Sequence, residues 1–138
     1  MAKKDERILL YQFPSDQIAV MRDVLRALGI QMQTLPMEAW REKVGFLLGI
    51  KGYKSTIIQG KEHFNFPHRV MLLEHIQGKR VAKLLMALED AGIPRITYKS
   101  AITPYNPLWT LRYLCEHMAK EHGSNIQLIS SNPIEGNT

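Results

Sequence analysis

An internal repeat constrains the fold of this chain more than any other feature of its sequence. Residues 8–30 align without a gap with residues 71–93, at a constant offset of 63 residues. The identical pairs are Leu9/Leu72, Leu10/Leu73, Ala19/Ala82, Leu25/Leu88, Gly29/Gly92 and Ile30/Ile93. Self-similarity at a fixed spacing is typical of folds built from copies of one unit. The sequence therefore predicts an internal duplication, and coincidence between two generic strand–helix patterns is the alternative.

Each copy shows the pattern of strand, helix, strand, helix. Apolar runs of buried-strand length precede apolar residues at helical spacing, which stop at Gly29 in one copy and at Gly92 in the other. The strands are predicted at residues 8–13, 31–35, 70–76 and 95–102. Strands that alternate with helices favour parallel pairs. We therefore predict an α/β fold: a single domain of two related βαβα halves around one four-stranded sheet, which can be mixed.

The match between the copies continues more loosely beyond residue 93. Thr34 falls on Thr97, and an insertion of six residues places Trp40 on Trp109. In the second copy, we predict that Asn106 caps the following helix, with a proline at its first position.

Four segments divide the chain, although 138 residues suit only one domain. Residues 1–50 form the first half, 51–69 a basic connecting segment, 70–123 the second half, and 124–138 a tail without periodicity that we expect to be loose. Residues 55–59 could add an edge strand.

Composition excludes several classes of protein. Hydrophobic residues make up 45% of the chain and charged residues 22%, as in ordinary globular proteins. No apolar run approaches the roughly 20 residues that cross a bilayer, and the charged amino terminus is unlike a signal peptide. The single cysteine, Cys115, cannot form an internal disulfide and lies among apolar residues, so we expect a buried thiol and a cytoplasmic protein with no membrane contact.

The connecting segment holds most of the excess positive charge. Residues 51–69 carry four cations and one carboxylate, which gives +3 of the formal net charge of +5. Cations interleaved with aromatic rings suit phosphate contacts and stacking on single-stranded bases. The residues that would bind RNA or DNA are Lys51, Lys54, Lys61, Phe64 and Arg69. The alternative is a solvated linker whose aromatic side chains pack on the core.

The turns before the first helix of each copy differ in charge. Residues 13–17 offer a serine and an aspartate to cap the helix, whereas Gly78, Lys79 and Arg80 at the equivalent place in the second copy bring two cations. Cations at a helix amino terminus oppose its dipole unless an anion lies between them. These three residues are therefore a candidate site for a phosphate, a carboxylate or an acidic partner segment, and solvated cations are the alternative.

Residues 99–111 read Lys-Ser-Ala-Ile-Thr-Pro-Tyr-Asn-Pro-Leu-Trp-Thr-Leu and are followed by Glu121-His122. This stretch resembles the signature K-A-x-L-T-x-x-N-x-x-W-T-L of a small bacterial family known only as a domain of unknown function. Ser100 stands where that signature has alanine. The resemblance covers about residues 70–122 and implies a strand-and-helix fold there. It implies no activity, cofactor or catalytic residue.

The same stretch allows a structural and a functional interpretation. Structurally, Thr103 and a proline end the strand, and Trp109 anchors the core. Functionally, polar groups at a strand-to-helix loop lie where open α/β sheets bind ligands. The candidate ligand-binding residues here are Lys99, Thr103, Tyr105 and Asn106.

The sequence favours binding over catalysis. Its histidine pairs are five residues apart, whereas a spacing of four would place two metal ligands on one face of a helix. We expect no metal, no cofactor and no catalytic residues. The main hypothesis is a binding or regulatory module for an anionic small molecule or a protein partner, with Lys79, Arg80 and the loop 99–106 at one sheet edge. Nucleic-acid binding through residues 51–69 is the alternative, and an enzyme for a phosphorylated metabolite is third.

Overall fold

The structure is a computed structural model that describes residues 5–55 and 64–131, with side chains up to residue 122. Its strands are β1 (Arg7–Tyr11), β2 (Gln31–Thr34), β3 (Val70–Glu74) and β4 (Tyr98–Ala101). Its α-helices are α1 (Ser15–Leu28), α2 (Val44–Leu47), α3 (Gly78–Asp90) and α4 (Leu111–Ser131). Two 3₁₀ turns complete it, the first over Met37–Arg41 and the second over Asn106–Leu108. Within the described residues, no helix is both long and apolar enough to span a bilayer.

One mixed sheet holds the two halves of the chain together. Its strand order is β2-β1-β3-β4. Strands β1 and β2 are parallel, as are β3 and β4, while β1 and β3 are antiparallel. Each half thus contributes one parallel pair, and the antiparallel contact joins the pairs. The predicted α/β fold, with one four-stranded sheet in a single small domain, is confirmed.

Helices cover both faces of the sheet. Alternate residues of a strand point to opposite faces. On one face, the side chains of the two central strands pack with α1 and α3; they are Ile8, Leu10, Met71 and Leu73. On the other face, they pack with the first 3₁₀ turn, α2 and α4; they are Leu9, Tyr11, Val70 and Leu72. Burial on both sides explains why β1 and β3 are nearly continuous apolar runs.

Several residues at the offset of 63 occupy matching places in the fold. Leu9 lies opposite Leu72 in the antiparallel pair. Gln12 and His75 follow β1 and β3, and both adopt the left-handed backbone conformation, with φ of 64° and 61°. That conformation is uncommon for residues other than glycine. These local geometries agree with two related halves, and the duplication itself stays a prediction.

Beyond the first helix of each half, the correspondence shifts. Arg7 pairs with Gln31, whereas Val70, the match of Arg7, pairs with Tyr98. The offset there is 67 residues rather than 63, because residues 94–97 form an added loop before β4. Matching Thr34 to Thr97, and Trp40 to Trp109 across six inserted residues, therefore does not agree with the strand register.

The prediction that Asn106 caps the second helix of this half, with Pro107 at its first position, is wrong. Asn106 begins the second 3₁₀ turn, and α4 begins at Leu111, where the Thr110 hydroxyl accepts a hydrogen bond from the Tyr113 N–H at 3.1 Å. The chain stays extended at Thr110 because it forms an antiparallel bridge with Lys43. Residue 110 therefore docks the second half onto the first before α4 starts.

Helix α4 continues past residue 123, where we placed the end of the second half, to Ser131. Gly123 alone costs a helix only about 1 kcal/mol, whereas Pro133 is the first residue that would break it. The remainder of the predicted tail, residues 132–138, lies outside the described residues, as do 56–63, which include Lys61 and most of the suggested edge strand.

Candidate functional site

The amino terminus of α3 contains an ion pair that the sequence did not reveal. The Arg80 guanidinium donates two hydrogen bonds to the Glu6 carboxylate, Nε to Oε2 at 3.0 Å and Nη2 to Oε1 at 2.6 Å. The Nη2 group also donates to the Leu28 carbonyl at 2.8 Å. The Glu6 side chain is 5% exposed and that of Arg80 29%. Arg80 therefore ties α3 to the start of β1 and the end of α1.

The anion expected beside these cations is supplied by the chain itself. The hydrogen bond that Arg80 donates to Glu6 raises the pKa of Arg80, so the guanidinium stays charged. Lys79 is exposed. A Cβ at Gly78 would meet nothing within 4 Å, so no neighbouring group lies close enough to the backbone to require glycine there. Whether Gly78, Lys79 and Arg80 bind a ligand stays a prediction. In this structure, Arg80 stabilises the fold by binding Glu6 and the Leu28 carbonyl.

The loop after β4 satisfies its own polar groups. Thr103 Oγ1 accepts hydrogen bonds from the N–H groups of Tyr105 and Asn106, each at 3.2 Å. The Asn106 amide accepts from the Thr103 N–H at 3.0 Å and donates to the Ala101 carbonyl at 2.9 Å. Asn106 is buried. This network holds the backbone of the loop, and the Tyr105 side chain extends from it into solvent.

Lys99 lies apart from that loop network. Its partner in the sheet register is Met71, whose side chain packs on the α1 and α3 side, so Lys99 faces α3. Its ammonium donates to the Ile96 carbonyl at 2.9 Å. The ends of β3 and β4 do meet, since the Ile102 N–H donates to the Leu73 carbonyl at 2.8 Å. A surface shared by the α3 terminus, the loop and Lys99 stays a prediction.

Two residues of the nucleic-acid alternative already have partners within the fold. Arg69 donates to Gln17 Oε1 at 2.9 Å and to the carbonyls of Pro94 and Arg95 at 3.2 and 2.7 Å. Phe64 stacks on the buried Phe66 ring with centroids 5.6 Å apart. Both side chains therefore help to hold the end of the connecting segment on the core.

The remaining residues of that alternative are lysines. Lys51 and Lys54 are exposed, and Lys61 lies outside the described residues. Between the two exposed lysines, the Tyr53 ring packs against Gly45, where a Cβ would come within 2.7 Å of it. Nucleic-acid binding stays a prediction.

The α4 side carries an exposed aromatic surface, of which sequence reasoning named Tyr105 and missed the rest. It comprises Tyr105, Leu108, Trp109, Tyr113 and His117, called here the aromatic surface. Tyr105, Leu108 and Tyr113 are 75%, 62% and 52% exposed. The half-buried Trp109 ring makes edge contacts with Tyr113 at 4.9 Å and His117 at 5.4 Å between centroids. The signature contains Trp109, whereas Tyr105 falls at one of its variable positions, and the residue types alone suit a core as well as a surface.

Burial raises the pKa of two ionisable groups in the core, the Tyr11 hydroxyl and the Cys115 thiol. Burial raises the pKa of Tyr11 to about 12, with smaller contributions from Cys115 and Glu38. The Tyr11 hydroxyl donates to the Met37 carbonyl at 2.8 Å. Burial, followed by the charge of Glu116, raises the pKa of Cys115 to about 12, so its thiol is protonated at neutral pH and a poor nucleophile. Among the described residues, no three metal-ligating side chains cluster.

Together, these features define a small α/β module of two halves with an exposed aromatic surface on its second half. Residues 69–124 match the model of a family described as a domain of unknown function, DUF3783. The aromatic surface and Thr110 both lie within the matched segment. Neither the curated proteins nor the solved structures yielded a match.

Proposed function

We propose that this protein is a binding module that recognises a partner protein through the aromatic surface. One observation carries the proposal: three exposed large hydrophobic side chains fall within nine residues, Tyr105 to Tyr113, around the half-buried Trp109. Large exposed apolar patches often mark an interaction site. Tyrosine and tryptophan also bury a large area at small cost in conformational entropy and dominate interface energetics.

The charges beside the aromatic surface favour an acidic partner. Two carboxylates of α4 are paired: Glu116 Oε2 lies 3.4 Å from Arg112 Nε, and Glu121 Oε1 lies 3.0 Å from His117 Nε2. Lys43, bridged through its backbone to Thr110, and Lys120 on α4 are exposed. The partner that fits is therefore a segment with aromatic or aliphatic side chains beside carboxylates.

Selection from a random peptide display library tests this proposal with the wild-type protein as the target. The selected peptides should combine apolar and acidic residues. They should bind the double variant Leu108→Ser/Tyr113→Ser at least about tenfold more weakly, because two exposed anchors are removed. Binding is measured by fluorescence anisotropy.

The matched control is Met86→Ser on α3. Met86 is 66% exposed, as accessible as Leu108, but lies across the sheet from the aromatic surface. Its variant should bind the peptides within about twofold of wild type. The proposal is overturned if no peptide is selected, if the peptides are basic, or if the double variant binds them as well as wild type does.

A further inference from the structure

A cavity on the other face of the sheet has the features of a small-molecule site. It lies between the end of α3, the loop before β4 and β4 itself, and its volume is about 650 Å³. Pockets for small molecules and cofactors usually have volumes of about 300–1,000 Å³. We call it the α3–β4 pocket. It lies on the α3 side of the sheet, whereas the aromatic surface lies on the α4 side.

The walls of the α3–β4 pocket are mainly apolar. They include Leu85 from α3 and Ile93 and Ile96 from the loop. Apolar walls favour a ligand with an apolar body, because water leaves both surfaces when the ligand binds.

Two cations line the same pocket. Lys99 comes from β4 and Arg95 from the loop. Burial lowers the pKa of Lys99, and the charge of Arg95 lowers it further, so the two groups are close enough to repel each other. An anionic group placed beside both would relieve that repulsion and find charged hydrogen-bond donors. Glu89 also lines the pocket and disfavours a ligand that carries several negative charges.

We propose that the α3–β4 pocket binds a small monoanion with an apolar body, whose charged group contacts Lys99 and Arg95. The Lys99 ammonium is already oriented by its hydrogen bond to the Ile96 carbonyl, and it has two further donors. This site is independent of the partner surface, so either proposal can fail without the other.

Octanoate is the probe, measured by isothermal titration calorimetry on the full chain. Octanoate should bind at least about tenfold more tightly than acetate, which lacks the apolar body, and than octanol, which lacks the charge. Lys99→Met keeps the length of the side chain and removes its charge, so it should weaken octanoate binding at least about tenfold.

Two further variants keep the test decisive. Lys79→Met removes an exposed lysine from the other end of α3 and should leave binding within about twofold. Leu85→Trp fills the pocket and should abolish binding while every charge remains, and thermal unfolding checks that each variant is folded. The proposal is overturned if octanoate does not bind, if acetate binds equally well, or if the loss follows Lys79→Met instead of Lys99→Met.

Discussion

Arg80→Leu is expected to lower the midpoint of thermal unfolding by at least about 5 °C. The substitution removes both guanidinium hydrogen bonds from a carboxylate whose side chain is only 5% exposed. Glu6→Gln should cost less, because the Arg80 side chain is 29% exposed and can turn towards solvent. Circular dichroism melts measure both midpoints.

The neighbouring Lys79 provides the control for that substitution. Lys79→Leu removes an exposed cation from the same helix turn and should change the midpoint by less than about 2 °C. If Arg80→Leu were as mild as Lys79→Leu, Arg80 would be a solvated cation. It would then be available to an external anion, as the sequence alone suggested.

Leu72→Ala is expected to lower the free energy of unfolding by about 3 kcal/mol, within the range measured for buried leucines. Leu72 is fully buried in β3, opposite Leu9, and its side chain belongs to the core under α4. Urea unfolding measures the change. Leu108→Ala is the control, since that side chain is exposed and should cost less than about 0.5 kcal/mol.

A cost below about 1 kcal/mol for Leu72→Ala would contradict the packing of α4 on this face. The Leu9→Ala variant and the double variant add a further check. Because Leu9 and Leu72 are directly opposite across the central strand pair, their effects on stability should not be additive.

The segment that matches DUF3783 contributes half of the sheet in this fold. It contains β3 and β4, while β1, the antiparallel neighbour of β3, lies in the first half. Residues 109–111 make a second connection: the Val44 N–H donates to the Trp109 carbonyl at 2.8 Å, and the Leu111 N–H donates to the Glu42 carbonyl at 2.9 Å. The Trp-Thr-Leu part of the signature therefore joins the two halves through its backbone.

Local patterns predicted the local elements of this fold. Each of these elements is visible in its own stretch of sequence. The strands β1 and β3 are apolar runs because they are buried, and α1 has apolar residues at helical spacing because one of its faces is buried. The antiparallel contact between the halves and the shift of register at residues 94–97 depend on residues far apart in the chain. No local periodicity specifies such pairings.

The candidate site was less predictable than the fold. Glu6 is part of a charged amino-terminal stretch that reads as a solvated tail, although it is the buried partner of Arg80. Tyr105 and Tyr113 are of a residue type that also suits a core, and only the tertiary structure shows their exposure. Lys99 was predicted to bind a ligand together with Thr103, and that stays a prediction; in the structure it lines a cavity with Arg95 and donates a hydrogen bond to the Ile96 carbonyl.

Chemical-shift mapping by NMR tests the central claim, that the protein recognises a partner through the aromatic surface. The tightest peptide from the selection is titrated into the ¹⁵N-labelled full chain. We expect the largest amide shifts at Tyr105, Leu108, Trp109, Tyr113 and His117. Shifts concentrated at residues 78–80 or 51–55 instead would contradict the claim. They would show that the peptide binds the cations that the sequence first indicated.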